Sequence, residues 1–281
     1  MKLIMTLLVK NEIDIIRENI NFHLASGIDH LIITDNKSDD GTRDILSEYD
    51  QLNEITVIDE PGDDYSQYKW VTRMALLAGE RHGADWIINN DADEFWIHPE
   101  KSLKEALEVT TSPVQLCARR NMVFPFDTPE TGAHWVERLR YRTASLTERV
   151  PLEDPLHDPL PDLYFNLNLP GKAIVRSKGL LGIEQGNHSA RFEQPVKPEQ
   201  NEIVVYHFPV RSKQQFETKI RQGGQAYARN YELSEKVGWH WRRFYHRMEH
   251  EGLEAALQEA LPTANAIQQG LGLLPAKWPG L

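Results

Sequence analysis

The sequence predicts an α/β fold, with a mostly parallel central sheet flanked by helices and a helical C-terminal extension. Two observations predict this class. Short apolar runs alternate with amphipathic helical patterns over the first hundred residues, and helices between strands act as the crossovers that join parallel neighbours. The later patterns, after residue 213, are mostly helical. In such sheets ligands bind beyond the carboxyl ends of the strands.

Each element in the first hundred residues follows from a local pattern. The run Leu3–Val9 has no polar alternation and predicts a buried strand. Apolar residues at i, i+3 and i+4 spacing predict an amphipathic helix that ends at Gly27; they are Ile13, Ile16, Ile20 and Leu24. Further elements are expected as strands at His30–Thr34, Ile55–Asp59 and Trp86–Asn89 and as helices at Thr42–Tyr49 and Tyr65–His82.

The rest of the chain is less regular. Ser102 is expected to cap a helix that runs to Val109. Five prolines between residues 151 and 170 predict a loop, and a loop of this length in a compact domain is typical of a functional lid. We expect strands at Val114–Arg119, Ala173–Arg176 and Ile203–His207, helices at Gln214–Glu235 and Glu249–Ala260, and a Pro- and Gly-containing tail over the last twenty residues.

Composition excludes several classes of protein. The 281 residues carry 31 Lys and Arg against 42 Asp and Glu, and the net charge of −11 argues against a general nucleic-acid binder. The single cysteine, Cys117, leaves no disulfide within the chain and no Cys-based zinc site. The longest apolar run has seven residues, too few for a transmembrane segment, and no small-residue cleavage site follows it. A cytoplasmic location is therefore expected.

Charge is unevenly distributed along the chain. Residues 51–100 hold eleven acidic side chains against three basic ones. Residues 201–250 hold nine basic side chains against five acidic ones, together with four histidines. This asymmetry indicates a metal at one place and an anion at another.

An acidic motif, Asn-Asn-Asp-Ala-Asp-Glu-Phe-Trp, occupies residues 89–96 at the end of a predicted buried strand. Its carboxylates Asp91 and Asp93 are separated by one residue, so both can contact one hard divalent cation, directly or through water. An acidic turn that only ends the strand is the alternative. The polar run begins within the apolar run and a Phe-Trp pair closes it, which favours a cation site.

A second polar segment, Thr34–Thr42, follows the second predicted strand. Its Asx and Ser side chains can hydrogen-bond a ribose or a base, and Thr42 can cap the next helix. A well-capped turn without a ligand would use the same residue types. The segment alone therefore leaves both interpretations open.

Taken together, three segments resemble the family 2 glycosyltransferases. Ile32–Thr42 resembles the family's strand and turn, Leu8–Glu12 resembles the end of its first strand, and Asn90–Phe95 resembles its Asp-x-Asp metal motif. The similarity is greatest to a bacterial subgroup whose strand ends in Asn-Asp-Ala-Asp-Glu-Phe-Trp. It is strong over residues 1–100, fainter to residue 225 and absent from the tail.

The resemblance implies a GT-A fold and transfer of a sugar from a nucleotide-activated donor to an acceptor hydroxyl. It implies a catalytic domain over 1–212, with a nucleotide and metal half over 1–100 and an acceptor half over 101–212 that carries the lid near 150–171. Residues 213–281 would form the helical extension.

The resemblance also assigns candidate residues. The positions that match the nucleotide site are Lys10, Asn11, Glu12, Asp35, Asn36, Asn90 and Asp91. Asp91 and Asp93 would hold the metal. Two departures, Asn36 for a frequent Asp and Lys10 for the usual aromatic residue, leave the nucleotide unidentified.

The expected chemistry is departure of a diphosphate assisted by a metal. Transfer builds negative charge on the leaving group, which Mg²⁺ or Mn²⁺ held by Asp91 and Asp93 would stabilise. The acceptor hydroxyl needs a general base, which in the family lies downstream of the metal motif. Glu184 and His188 are the candidates there, and each could instead be a surface residue of a turn.

His207 ends an apolar strand in Val-Tyr-His-Phe-Pro, and the resembling subgroup has His-Phe-Pro at the matching position. Its imidazole could complete the metal shell, which would favour Mn²⁺ over Mg²⁺. A hydrogen-bonded core or edge histidine is the alternative. Nearby Arg211 and Lys213 could meet the diphosphate, although solvated surface positions are their default.

The segment Trp239–Tyr245 mixes aromatic and basic residues. It could dock on anionic lipid or a polyprenyl-linked acceptor, as a peripheral contact at the inner face of the membrane. Packing of an aromatic-rich helix on the core, with its arginines solvated, is the favoured interpretation.

These expectations describe a metal-dependent, inverting glycosyltransferase of surface polysaccharide or glycan synthesis. Its partners would be a nucleotide-sugar donor and a glycan or lipid-linked acceptor. One alternative is a sugar-nucleotide nucleotidyltransferase, which would favour a Gly-rich phosphate loop, and Leu8–Glu12 has no glycine. The other is a non-catalytic sugar- or nucleotide-binding module, against which the intact Asp91 and Asp93 argue.

Overall fold

The computed structural model describes residues 1–62, 67–130, 134–143, 146–229, 238–269 and 273–275. The strands are β1 Leu3–Val9, β2 His30–Asp35, β3 Ile55–Asp59, β4 Trp86–Asp91, β5 Glu94–Ile97, β6 Val114–Val123, β7 Tyr141–Thr143, β8 Lys172–Arg176, β9 Leu180–Ile183, β10 Ala190–Phe192, β11 Glu199–His207 and β12 Leu273–Pro275. The α-helices are α1 Ile16–Ala25, α2 Thr42–Tyr49, α3 Gln67–Glu80, α4 Leu103–Glu108, α5 Trp135–Arg138, α6 Lys213–Arg229, α7 Trp239–Glu251, α8 Leu253–Ala260 and α9 Ala264–Gln268. Short 3₁₀ helices lie at Tyr164–Asn166 and Gln185–Asn187.

The chain divides into two compact units. The first comprises Met1–Arg119 with Pro170–His207, and the second comprises Arg120–Leu169 with Phe208–Leu281. The predicted boundary at residue 212, between a catalytic domain and a helical extension, stays a prediction.

The first unit contains a sheet with a parallel centre. Strand β1 lies between β2 and β4, and β3 pairs with β2, all in parallel. Strand β8 pairs antiparallel with both β4 and the first residues of β6, and β11 pairs antiparallel with β5. Helices α1, α2 and α3 lie between the parallel strands in the sequence, as crossovers require. The predicted α/β class with a parallel central sheet is confirmed.

The core of this unit explains the apolar runs. All of β1 except Leu8 is fully buried, because helices cover the parallel strands. Helix α3 packs Val71, Met74 and Ala78 against β-strand residues such as Ile4. This packing fixes the sheet, and with it the positions at which the strands end.

The second unit is mostly helical in its later part. Strand β7 pairs with Met122 and Val123 at the end of β6 and with β12. Helices α6, α7 and α8 pack on one another in sequence. Within the predicted Pro- and Gly-containing tail, Thr263 caps the short helix α9, and β12 follows among the described residues.

Several predicted elements have other limits in the structure. The single helix expected at Glu249–Ala260 is two helices, because Gly252 adopts φ 94° between α7 and α8. Strand β6 extends four residues beyond the expected end at Arg119, to Val123. The predicted start of one helix at Tyr65 and the predicted end of another at Glu235 lie outside the described residues. Ser102 forms the expected helix cap, as a capping box with Glu105.

In the described part of the chain, no helix combines the length and the apolar character that crossing a bilayer requires.

Candidate functional site

The two polar segments singled out in the sequence emerge at one edge of the sheet. In the parallel register, Leu8 of β1 pairs with Asp91 of β4, and Val9 pairs with Asp35 of β2. The carboxyl ends of β2 and β4 therefore flank the end of β1, about 10 Å apart at the usual spacing of two strands. This edge is where parallel α/β sheets place ligands.

A buried polar pair on α1 holds the turn that carries the acidic motif. The Asn19 amide donates to the carbonyl oxygens of Ala92 at 2.8 Å and Glu94 at 2.9 Å, on either side of Asp93. Nε2 of His23 accepts from the Trp96 backbone N–H at 3.3 Å. Helix α1 thereby fixes the backbone of the motif, and neither Asn19 nor His23 is exposed to solvent.

The same network includes Asn90, which was predicted to lie in the nucleotide site. Its amide donates to Asn19 Oδ1 at 3.1 Å, and its own oxygen accepts from Trp96 Nε1 at 2.8 Å. The side chain is buried and bonded within the protein. A role for Asn90 in nucleotide binding stays a prediction.

We expect Asn19→Ala to lower the free energy of unfolding by about 2–4 kcal/mol, because it leaves two buried carbonyl groups without a donor. Asn121→Ala is the matched control, since Asn121 is also buried and its amide donates to one backbone carbonyl, that of Phe165, at 2.9 Å. Urea unfolding followed by circular dichroism measures both variants. A loss for Asn19→Ala no larger than that for the control would contradict the assigned clamp.

The pH dependence of stability should report His23. Complete burial lowers the pKa of His23 to about 3, whereas an unfolded histidine titrates near 6.5. Between these two pKa values only the unfolded state binds the proton. The free energy of unfolding is therefore unaffected by His23 above pH 6.5 and decreases as the pH falls below it. From pH 7.5 to 5.5 we expect the free energy of unfolding of the wild type to fall by about 1.4 kcal/mol more than that of His23→Gln, measured by urea unfolding. Equal decreases in both proteins would refute the assignment of this pH dependence to His23.

A buried charged cluster adjoins the acidic motif. Nζ of Lys172, the first residue of β8, lies 2.6 Å from Asp91 Oδ2 and 3.0 Å from Glu94 Oε1. Arg119 lies 3.9 Å from the same Glu94 oxygen. Among the described residues neither Glu94 oxygen has a hydrogen-bond partner, so the carboxylate is compensated by the charges of Lys172 and Arg119 near Oε1. Asn187 completes the surroundings of Asp91, with its amide 3.4 Å from Oδ1.

Burial and charge act together on the titration of this cluster. Burial raises the pKa of Glu94 to about 7, Lys172 opposes that rise and Asp91 adds to it. Burial by itself would lower the pKa of Lys172, but the carboxylates of Asp91 and Glu94 outweigh it and raise that pKa. Lys172 is therefore an ammonium at neutral pH despite being buried.

Asp93 faces His207. Strand β11 pairs with β5 so that His207 lies opposite Glu94, and this register brings His207 Nε2 to 3.5 Å from Asp93 Oδ2. Both side chains are largely shielded from solvent. A carboxylate oxygen facing an imidazole nitrogen is a donor pair that suits Mn²⁺.

The pair fits a divalent cation that a ligand helps to hold. Among the described residues, no three His, Cys, Asp or Glu side chains converge on a point that a metal could occupy. Two protein donors are nevertheless enough where substrate phosphates and water supply the remaining ligands, as Mg²⁺ sites show. Lys172 and Asn187 contact the oxygens of Asp91, whereas Asp93 and His207 face each other. A role for Asp91 in holding the metal stays a prediction.

The Asp35 carboxylate is the unsatisfied group on the other side of β1. Its Oδ2 accepts from the Ser38 backbone N–H at 3.1 Å, whereas Oδ1 is buried and has no hydrogen-bond partner in the described part of the chain. The neighbouring Asn36 amide donates to the carbonyl oxygens of Glu60 and Gly62. Asp35 Oδ1 thus remains as an acceptor for a ligand.

The segment Lys10–Glu12 is tied to the turn after β2. The Asn11 amide donates to the Asp39 carboxylate and its oxygen accepts from the Asp39 backbone N–H, while the Glu12 backbone N–H donates to Thr42 Oγ1. Among the described residues, the non-glycine residues with left-handed backbone are Asn11 and Lys37, in loops that follow strands, and Asn187, at the end of a 3₁₀ helix. Such conformations are costly and are often retained where function needs them.

The two base candidates differ in their surroundings. Glu184 is about half exposed and pairs with Arg191 at 2.8 Å. His188 Nδ1 lies 2.6 Å from the Gly171 carbonyl oxygen, so Nδ1 carries the proton and Nε2 keeps its lone pair. Burial, followed by the charge of Lys172, lowers the pKa of His188 to about 4, which leaves the ring neutral at pH 7.

The later basic residues lie in the second unit. Arg211 is buried and donates to the Phe208 carbonyl oxygen, and Lys213 pairs with Glu254 at 2.7 Å. A contact of either with a diphosphate stays a prediction. The segment Trp239–Tyr245 opens α7 and buries Phe244, as the packing interpretation expected. Its arginines are not all solvated, since Arg243 is 3% exposed, and that expectation is wrong.

Sequence reasoning missed the residues that hold the motif, namely Asn19, His23, Lys172 and Asn187. A signal existed for two of them, because Asn19 and His23 are polar residues at i and i+4 spacing on the apolar face of a predicted helix. Lys172 and Asn187 reach the motif only through the sheet register and a loop conformation, which no local pattern contains.

Comparison with known proteins supports one assignment. The model of glycosyltransferase family 92 matches residues 4–255, which is most of the chain. A comparison with curated proteins found no match. The match confirms the predicted class of enzyme, while the resemblance to the family 2 subgroup stays a prediction.

Solved structures similar to this chain include two of TarS from S. aureus. TarS 1-349 in complex with UDP-GlcNAc is 12% identical with a TM-score of 0.43, covering 96% of this chain and 92% of that one. A second TarS structure is 15% identical with a TM-score of 0.41, covering 92% of this chain but 44% of that one. HddC from Yersinia pseudotuberculosis is 12% identical with a TM-score of 0.39, covering 78% and 100%. The assignment rests on the family model: this chain belongs to glycosyltransferase family 92 and is a glycosyltransferase.

Proposed function

We propose that this glycosyltransferase moves a sugar from a nucleotide-sugar donor to an acceptor hydroxyl with inversion, and that it depends on a divalent cation. The observation that carries the proposal is the facing of Asp93 and His207 at 3.5 Å, at the carboxyl edge of the parallel strands. Parallel α/β sheets bind ligands at that edge.

The nucleoside would lie beyond β2. Asp35 Oδ1 is a buried acceptor without a partner among the described residues, and an unpaired buried acceptor is costly unless a ligand satisfies it. A hydroxyl of the ribose or an N–H of the base would supply the missing donor. The loops 10–12 and 36–40 are bonded to each other and would form a fixed wall beside it.

Asp93 and His207 would hold the cation, and a cation there supplies positive charge to the departing diphosphate. Two protein donors leave coordination positions for diphosphate oxygens. Lys172 pairs with Asp91 and Glu94, and Arg119 lies 3.9 Å from Glu94, so the site does not face the diphosphate with three uncompensated carboxylates.

The acceptor hydroxyl would lose its proton to Glu184 or His188. Glu184 is the more accessible of the two, whereas His188 has a pKa of about 4 and is a weak base at neutral pH. This contrast favours Glu184, once an acceptor displaces Arg191. A glycan or lipid-linked acceptor, surface glycan synthesis and a cytoplasmic site at the inner face of the membrane complete the proposal.

A thermal-shift screen of nucleotide sugars, each with and without MnCl₂, tests the proposed function. We expect at least one nucleotide sugar to raise the unfolding temperature only when Mn²⁺ is present, because a ligand that binds the folded state stabilises it by mass action. The same compound should then be hydrolysed slowly by the enzyme without an acceptor. If no nucleotide sugar or nucleoside diphosphate binds under either condition, the proposed function is wrong.

A further inference from the structure

A lysine ammonium lies within the acidic motif of this chain. The antiparallel register pairs Ile88 of β4 with Ile174 of β8, so its continuation places Lys172 beside the end of β4, where the motif begins. The Lys172 side chain is 3% exposed, and its Nζ touches Asp91 at 2.6 Å and Glu94 at 3.0 Å. The pairing of β8 with β4 thus places the Lys172 ammonium at the acidic motif.

The two carboxylates that Lys172 contacts are not equivalent. Glu94 is completely buried and can serve only as an internal counterion. Asp91 keeps 31% of its side chain exposed, so it can reach a ligand at the edge of the sheet. Its Oδ2 is held by Lys172 and its Oδ1 lies 3.4 Å from the Asn187 amide, with Asn187 in a left-handed conformation.

We propose that Lys172 is a positioning residue that fixes the carboxylate of Asp91 for the donor nucleotide. The proposal rests on the proposed function, because it assumes that a nucleotide occupies this edge. A carboxylate with a buried ammonium on one oxygen and an amide near the other is restricted to one orientation before the ligand arrives. Such preorganisation lowers the cost of ordering the site on binding.

A purely structural role is the competing explanation. An ammonium between two carboxylates balances charge, and its removal leaves the buried Glu94 with the more distant Arg119, at 3.9 Å, as its counterion. A poorly compensated buried charge destabilises proteins. Lys172→Met alone therefore cannot separate the two roles. The double variant Lys172→Met/Glu94→Gln can, because it removes the ammonium together with the carboxylate that most needs it, while Asp91 stays partly in water.

The experiment compares the wild type, Glu94→Gln and Lys172→Met/Glu94→Gln by urea unfolding and by calorimetric titration with UDP, GDP and CDP in the presence of MnCl₂. We expect the double variant to unfold at the same urea concentration as Glu94→Gln, yet to bind the nucleotide that the wild type selects at least tenfold more weakly than Glu94→Gln does. Asp91→Asn added to the double variant should then weaken binding less than twofold, since Asp91 is already misplaced.

Two further variants complete the design. Lys104→Met is the matched control, because Lys104 also lies 2.6 Å from a carboxylate, that of Asp29, which precedes β2 at the opposite edge of the sheet. Nucleotide affinity should be unchanged in this variant. Lys172→Arg keeps the charge that Glu94 needs but changes the distance to Asp91, so it should stay folded and bind more weakly even if the double variant unfolds.

The outcomes separate the two proposals. Nucleotide affinity in both Lys172→Met/Glu94→Gln and Lys172→Arg equal to that of their reference proteins would overturn the positioning role while leaving the proposed function intact. A wild type that binds none of UDP, GDP and CDP, and no nucleotide sugar in the thermal-shift screen, would overturn the proposed function, and the positioning role with it.

Discussion

Replacing Asp93 by asparagine should reduce metal-dependent turnover at least about 100-fold while the protein stays folded. Asp93 faces His207 at 3.5 Å and is 3% exposed, so asparagine fits the same space but lacks the negative charge that a divalent cation requires. The loss should appear in kcat, because the cation acts on charge that develops as the diphosphate departs. Initial rates of transfer or donor hydrolysis over a range of Mn²⁺ concentrations measure it.

Asp29→Asn is the control for that variant. Asp29 lies at the opposite edge of the sheet, where it accepts from the Leu3 backbone N–H and pairs with Lys104. It should lose some stability and keep its turnover. Turnover by Asp93→Asn that matches the control, with the same Mn²⁺ dependence as the wild type, would remove Asp93 from the metal site.

Replacing Arg243 by methionine should lower the free energy of unfolding by about 3–5 kcal/mol, the usual cost of breaking a buried ion pair. Its guanidinium contacts both oxygens of Glu259, at 2.8 and 2.5 Å. It also donates to the carbonyl oxygens of Pro155 at 2.9 Å and Asp158 at 2.7 Å. Methionine removes the buried partner of Glu259, whose carboxylate keeps Arg247 at 3.0 Å, and it removes the donors that hold the loop 155–158.

Arg17→Met is the matched control for Arg243→Met. Arg17 also binds a carboxylate through two nitrogens, both at 2.7 Å from Glu48, but that pair lies in solvent. Exposed pairs contribute little to stability even with ideal geometry, so the control should unfold close to the wild type in urea. Similar losses in the two variants would show that burial of the Arg243 pair does not decide its contribution.

Much of the fold and part of the site could be predicted from the sequence, because they depend on local patterns. The strand Leu3–Val9 is an uninterrupted apolar run, and helix Thr42–Tyr49 starts after a turn whose residue types favour it. The acidic motif could be recognised because its polar run begins within the apolar run and a Phe-Trp pair closes it. Asp93 and His207 are both predicted as metal ligands, and the structure places them 3.5 Å apart.

The remaining site residues depend on tertiary structure. Lys172 looks like an ordinary lysine before a strand until the register of β8 against β4 places its ammonium in the motif. A solvated Arg243 is the expectation because arginines on an amphipathic helix usually lie in solvent. Its burial is instead compensated by Glu259 of α8 and by the carbonyl oxygens of the loop 155–158. The helix break at Gly252 was missed because glycine also occurs inside helices.

The central claim is that a divalent cation and a nucleoside diphosphate share the site at the carboxyl edge of the parallel strands. Anomalous diffraction at the manganese edge, from crystals grown with MnCl₂ and the nucleoside diphosphate that the thermal-shift screen selects, tests it most directly. The account predicts an anomalous peak in contact with Asp93, His207 and the diphosphate, with the nucleoside against Asp35. A nucleotide bound away from this edge, or bound here with no manganese at Asp93 and His207, would contradict it.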